Sequence, residues 1–317
     1  MLGKTIIHSL ITLLVILAGV VSGRAGAEER PVVILLSDTE KAYVQPVDSF
    51  QKEIDRPVTV FNLHGDIRND PLLKAKIIAA KPALIFALGA KAAYVAKLWT
   101  RDHLEIPVLF AMVINWSRYD LVSQPNVAGI SAETAPGTQF VNMTMFSPKV
   151  GRIGVIYSDH SSHFLEQAEK AAGILGLELV SVPIQRPGEF RHTFKKIAGD
   201  IDAYWVLHDP VIYTLDSMDW LKDRCVKERL VCVGQSVNIA RMGLVLAVNP
   251  DPVNIGSQIA SMARNILQGR QTPEQIGVMD PLATNVYVNI KTADRIGLAI
   301  SQAALGMATK VEEGTGP

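Results

Sequence analysis

Residues 82–116 read PALIFALGAKAAYVAKLWTRDHLEIPVLFAMVINW. Leu84–Leu88 is an unbroken apolar run of strand length, and Val108–Val113 is another. Between them, from Ala90 to about Thr100, the pattern is helical, and Gly89 makes the turn into it. Strand, glycine turn, helix and second strand form one βαβ unit. Strands this apolar are buried on both faces, as in a parallel sheet covered by helices.

The same alternation extends in both directions. Upstream lie "VVILLS" (residues 32–37), a helix over about 41–54, "VTVFNL" (58–63) and a helix over about 70–80. Downstream come "NVAGIS" (126–131) and a helix over about 135–146, where Phe140, Met143 and Phe146 recur at helical spacing. The series then restarts with "RIGVIYS" (152–158), "LELVSVPI", "AYWVLHD" (203–209), "LVCVGQS" and "LVLAVNP", with helices between them. A helix over about 253–267, the strand "VYVNI" and the helix "KTADRIGLAI" follow. Two successive βαβ series predict an α/β protein of two doubly wound, Rossmann-like lobes joined by a multi-strand hinge. The late elements are expected to finish both sheets. Residues 28–148 with 250–283 then make the first lobe, and 149–249 with 284–317 the second. Ser147-Pro148-Lys149 is the expected first crossing.

A chain of 317 residues, 48% hydrophobic, suits two such lobes. Lys plus Arg and Asp plus Glu are 31 each, which gives no electrostatic case for nucleic acid or an anionic membrane. The N-terminus differs from the rest. Lys4, an apolar stretch from about Ile6 to Val21, and Ala25-Gly26-Ala27 have the layout of a secretory signal peptide cleaved after Ala27. Loss of Lys4 and Arg24 would leave 29 cationic against 31 anionic side chains. No cysteine stands there for lipid attachment, so a periplasm bounded by an outer membrane is the expected compartment. Cys225 and Cys232 are the only cysteines, and their spacing leaves open whether they pair or stay as buried thiols.

In open α/β sheets a ligand sits beyond the carboxyl ends of the strands. That rule selects Ser37-Asp38-Thr39, Gly89-Ala90-Lys91, Asn115-Trp116, Tyr157-Ser158, His208-Asp209 and Gln235 as candidate ligand contacts. The free amides at Gly89–Lys91 suit a carboxylate, because a helix N-terminus favours negative charge. Asp209 suits an ammonium group, and Trp116 and Tyr157 suit a flat or apolar body. Ser37, Asp38, Thr39 and Asp209 are equally good helix-capping residues. No phosphate loop, dinucleotide fingerprint or nucleophile elbow occurs. His160 and His163 lack a third metal ligand at sensible spacing, and His208 is a lone general-base candidate. Neither enzyme activity, metal nor cofactor is expected.

The order and spacing of several segments resemble the ABC-transporter substrate-binding family related to tryptophan-binding proteins, a branch with the type I periplasmic binding fold. The segments are "PALIFALGAKAAYVAK", "IPVLFAMV", "NVAGIS", "KVGRIGVIYS", "VLHDPVI", "GLVLAVNPDPVNIGSQIASMARNILQGRQTPEQI" and "VYVNIKTADRIGL". The resemblance implies a monomer that captures a small solute, an amino acid or related anion, and hands it to an inner-membrane ABC permease. A ligand-sensing subunit for a membrane receptor or kinase would use the same cleft closure. Gly89-Ala90-Lys91 stands where the family usually has Gly-Thr-Pro. Asn115-Trp116 replaces Asp-Pro, and His208-Asp209-Pro210 replaces Thr-Asp-Asn, keeping only the Asp. A Lys91 that points inward would suit an anionic ligand.

Overall fold

A computed structural model describes residues 29–311. The expected signal segment, residues 1–27, lies outside the described residues. Among the described residues no helix is long and apolar enough to cross a membrane.

The first sheet has six strands in the order β11-β5-β4-β3-β1-β2, all parallel. They are β1 (Val32–Leu36), β2 (Val58–Asn62), β3 (Leu84–Leu88), β4 (Val108–Val113), β5 (Val127–Ser131) and β11 (Val278–Met279). The second has seven in the order β13-β12-β10-β9-β8-β6-β7. These are β6 (Arg152–Tyr157), β7 (Glu178–Pro183), β8 (Ala203–Trp205), β9 (Val231–Gly234), β10 (Leu246–Pro250), β12 (Thr284–Asn289) and β13 (Thr309–Val311). Only the β10–β12 pair is antiparallel. Both series follow the order 2-1-3-4-5, so strand order reverses beside the first strand of each, as in doubly wound sheets. β3 is buried along its whole length, whereas the edge strands β2 and β7 are half exposed.

Helices cover both faces of each sheet. Phe50 of the helix Lys41–Glu53 and Ile255 and Ile259 of the helix Pro252–Leu267 bury against Ile34, Phe86 and Leu109. Those two helices approach backbone to backbone at Gly256. A Cβ on Gly256 would lie 2.3 Å from the Pro46 carbonyl oxygen, so only glycine permits this approach.

The first crossing lies earlier than residues 147–149. The helix Pro136–Phe146 packs on the second sheet, where Phe140, Met143 and Phe146 join Ile153, Val155 and Trp205. Phe140 meets the Trp205 ring edge-on at 5.1 Å, and the Trp205 indole N–H donates to Gln139 at 2.8 Å. The apolar stripe on this helix specifies burial but not which sheet receives it. The chain therefore passes between sheets at residues 132–135, at 251 and at 280–283. These crossings are tied together. The Asp251 N–H donates to the Ala283 carbonyl at 3.0 Å. Gln258 donates to the Asp280 carbonyl and accepts from the Leu282 N–H.

One other expectation is corrected, and the open question of the cysteines is answered. β8 ends at Trp205, so residues 206–209 are loop rather than strand. Cys225, in the helix Leu215–Lys227, is bonded to Cys232 of β9 as a disulfide, with Cα atoms 6.1 Å apart.

Candidate functional site

Asn115, just beyond β4, donates from Nδ2 to the His160 carbonyl, just beyond β6, at 2.8 Å. The carboxyl ends of the two sheets thus face each other, and the strand-end loops form the walls between them.

The loops of the first lobe are laced to one another. Ser37 Oγ accepts the Ala92 N–H at 2.9 Å and so caps the helix Ala90–Trp99 from the neighbouring strand. The helix Lys41–Glu53 has no side-chain cap at all. Asp38 accepts the Thr39 N–H, and Thr39 Oγ1 accepts from Asn62 Nδ2. Lys91 is exposed, and its ammonium donates to the Gly65 carbonyl at 2.5 Å. It reaches sideways to the β2 loop and not toward the second lobe, which removes the argument from Lys91 for an anionic ligand. Gly89 has φ +85°, and a Cβ there would lie 2.2 Å from the Tyr43 hydroxyl and 2.6 Å from Ser37 Oγ. Gly89→Ala is expected to lower stability by about 2 kcal/mol through backbone strain and loss of this packing, read as the shift in urea midpoint.

In the second lobe Asp209 is 2% exposed. Its Oδ2 accepts the Ser158 N–H, the Ser158 hydroxyl and the Ser161 hydroxyl at 2.9, 2.7 and 2.6 Å, and its Oδ1 accepts the Val211 N–H at 3.0 Å. Burial pushes its carboxyl upward. The hydrogen bonds from Ser161 and Ser158 outweigh that and hold it below the usual range. Four protein donors occupy this carboxylate, so it joins two loops rather than waiting for a ligand ammonium. Tyr157 packs against the second core.

At the strand-end loops of the second lobe lies a cavity of about 480 Å³ with mainly apolar walls, among them Leu207, Tyr213, Met218, Ile239 and Met242. Ile114 enters it from the first lobe, and His208, Thr214 and Ser236 add polar groups. Burial pushes the His208 imidazole down to about 4, so it is neutral at physiological pH. His208 Nδ1 and Asn249 Oδ1 are buried without a protein partner. Gln235 stands close enough to His208 to favour its charged form weakly. Neither Gln235 amide atom makes a well-formed hydrogen bond. His208 and Gln235 follow β8 and β9, and Asn249 stands in the last two residues of β10; the three strands are adjacent in the sheet. The three side chains form a row of unsatisfied donors and acceptors at its carboxyl edge. Asn249 and Ile114 are not among the residues singled out from sequence, although each stands at a strand end where the same rule reaches.

Trp116 lines a different cavity, of about 300 Å³, together with Glu133 and His163. Consecutive residues of the β4 loop thus divide the space. Ile114 faces one cavity, Asn115 bridges to the second lobe, and Trp116 faces the other. The two cavities share no lining residue. Asn115 adopts φ +49°, a left-handed conformation that asparagine tolerates better than most residues.

Two α/β lobes with facing strand ends and a cavity between them define a type I periplasmic binding fold. Residues 54–312 match the family described as ABC transporter substrate binding protein, and the chain belongs to that family. It is a family of substrate-binding proteins, not of enzymes. Among solved structures, a ligand-free, open substrate binding protein with adhesive properties from Clostridium difficile is similar at 20% identity. The match covers 90% of this chain and all of that one, with a TM-score of 0.73. An ABC domain in complex with L-Trp from Streptococcus pneumonia is similar at 20% identity, covering 89% and 99% of the two chains, with a TM-score of 0.58. At these identities the likeness is one of fold. No curated protein matches the chain.

Proposed function

We propose that this chain captures a small solute between its lobes in the periplasm and delivers it to an ABC importer in the inner membrane. The observation that carries this reading is the apolar cavity at the strand-end loops of the second lobe, to which Ile114 of the first lobe adds a wall and where His208 Nδ1 is buried without a protein partner. Among the described residues no lysine or arginine lines that cavity, and the Asp209 carboxylate is occupied by protein donors. This favours a solute with an apolar body and a hydrogen-bonding head over a small inorganic anion. An amino acid with an apolar side chain has that form, and L-Trp is the ligand of the Streptococcus relative. Two features support secretion: the basic, apolar and small-residue layout of residues 1–27, and the Cys225–Cys232 disulfide, a bond that persists in oxidising compartments. The chain acts as a monomer, and closure of the lobes on the solute is the signal the permease reads.

The test is a thermal-shift screen of amino acids, small carboxylates and nucleobases on the purified chain. A true solute at about 100 times its Kd adds roughly 2.7 kcal/mol of stability. Ile114→Arg, which puts a charged side chain into the cavity, should abolish that gain. A screen in which no small solute raises the melting point would remove the capture reading.

A further inference from the structure

The cavity lined by Trp116 has a composition unlike the one under Ile114. It lies beside two of the crossings between sheets. Ser131 ends β5, Glu133 comes from the first crossing and Asp280 from the third, while His163 and Phe164 come from the turn leading into the helix Leu165–Ile174 of the second lobe. Glu133 is 2% exposed. Its Oε2 accepts the Asn115 N–H at 2.8 Å, while Oε1 is buried with no protein partner. An unpaired carboxylate oxygen beside a cavity is costly unless something donates to it. Among the described residues no lysine or arginine lines the space. His163 stacks on Phe164 at 4.1 Å, and burial holds its imidazole below the ordinary range, so it is mostly neutral at pH 8.

Two carboxyl groups and two aromatic residues, with no fixed cation, repel anions. They offer what a soft cation requires, a nearby negative charge and aromatic faces. Among the described residues no three histidine, cysteine or acidic side chains are placed to hold a metal ion. We propose that this hinge-side cavity binds a small organic ammonium ion, with Glu133 and Asp280 balancing its charge and Trp116 and Phe164 covering its alkyl groups. Its volume of about 300 Å³ admits a cation of a few carbon atoms. Because Glu133 also accepts from the loop that carries Asn115 to the second lobe, an occupant of this cavity sits against the contact between lobes.

Burial raises the Glu133 carboxyl to about 7, so the site strengthens as the pH rises through neutrality and Glu133 ionises. Asp280, also raised by burial, and His163 are the other ionisable groups that line the cavity.

The test is calorimetric titration of the purified chain with tetramethylammonium chloride, with tert-butanol as its neutral counterpart. Saturable binding to one site is expected at pH 8, and at pH 6.5, where most of Glu133 is protonated, binding should release a proton and its heat should scale with buffer ionisation heat. The affinity should fall about thirty-fold at pH 5.5, the ratio of ionised Glu133 at the two values. Glu133→Gln keeps an acceptor for the Asn115 N–H and should weaken binding at least tenfold. Asp280→Asn, the other carboxyl group of the lining, should weaken it by less. Ile114→Arg should leave it unchanged, which separates this site from the solute cavity. Absence of saturable heat, equal affinity in the Glu133→Gln chain, or equal binding of tert-butanol would overturn the proposal.

Discussion

Asp209→Ala is expected to lower unfolding stability by about 4 kcal/mol. The substitution leaves the Ser158 N–H, the Ser158 and Ser161 hydroxyls and the Val211 N–H facing a gap, and Ser158 and Ser161 are 4% and 0% exposed. Water cannot replace the lost acceptor without opening the loops. Asp209→Asn should cost about half as much, because its oxygen can turn to the three donors at Oδ2 while its amide opposes the Val211 N–H. The effect is also pH-dependent. The folded carboxyl titrates below its unfolded value, so its stabilisation is full above the unfolded value and is lost as pH falls through the folded one. Urea unfolding of both variants at pH 7 measures the loss. An Asp209→Ala chain that unfolds at the wild-type urea concentration and only loses solute affinity would return this residue to the ligand.

Glu133→Gln should have the opposite sign, adding about 3 kcal/mol of stability at pH 8 and nothing at pH 4. Burial raises the folded Glu133 carboxyl to about 7 against an ordinary value of 4.5. Between those limits the folded state holds more protons than the unfolded state, so Glu133 makes stability fall as pH rises. His208 works in reverse. Its folded value of about 4 lies below the ordinary 6.5, so unfolding takes up a proton in that interval, and stability falls as pH drops. In the wild type the two slopes overlap and largely cancel over mildly acid pH. Glu133→Gln unmasks the His208 slope, and stability should climb steadily from pH 4 to 6.5. Denaturant midpoints across pH 4–8 decide this; parallel curves for the two chains would show that Glu133 does not carry the term.

The lobes were legible because most buried strands stand in apolar runs between turn signals, β1, β3 and β4 in runs of five or six residues. β11 and β13, of two and three residues, carry no such signal, and only pairing to a neighbour reveals them. The strand-end rule selected the loops that border the cavities but not what each residue does there. Ser37 and Asp209 are the types that serve equally as cap, loop tie or ligand contact, and the choice depends on partners 55 and about 50 residues away. Glu133 stands in a short polar stretch with no periodicity, and its character arises only when the Asn115 loop closes over it. Lys91 shows the converse. A cation at a helix start suggests an anion, yet its long stem carries the charge to a neighbouring loop.

The first sheet is not contiguous in the chain. β11 and the helix Pro252–Leu267, which complete it, follow the whole run from residue 136 to 250 that builds most of the second. A growing chain therefore cannot close its first core until nearly nine-tenths of it has been made, and contacts so distant in sequence form slowly. In a polypeptide exported unfolded, such wiring would act as a built-in delay, postponing the locking of the first core until the far end has followed.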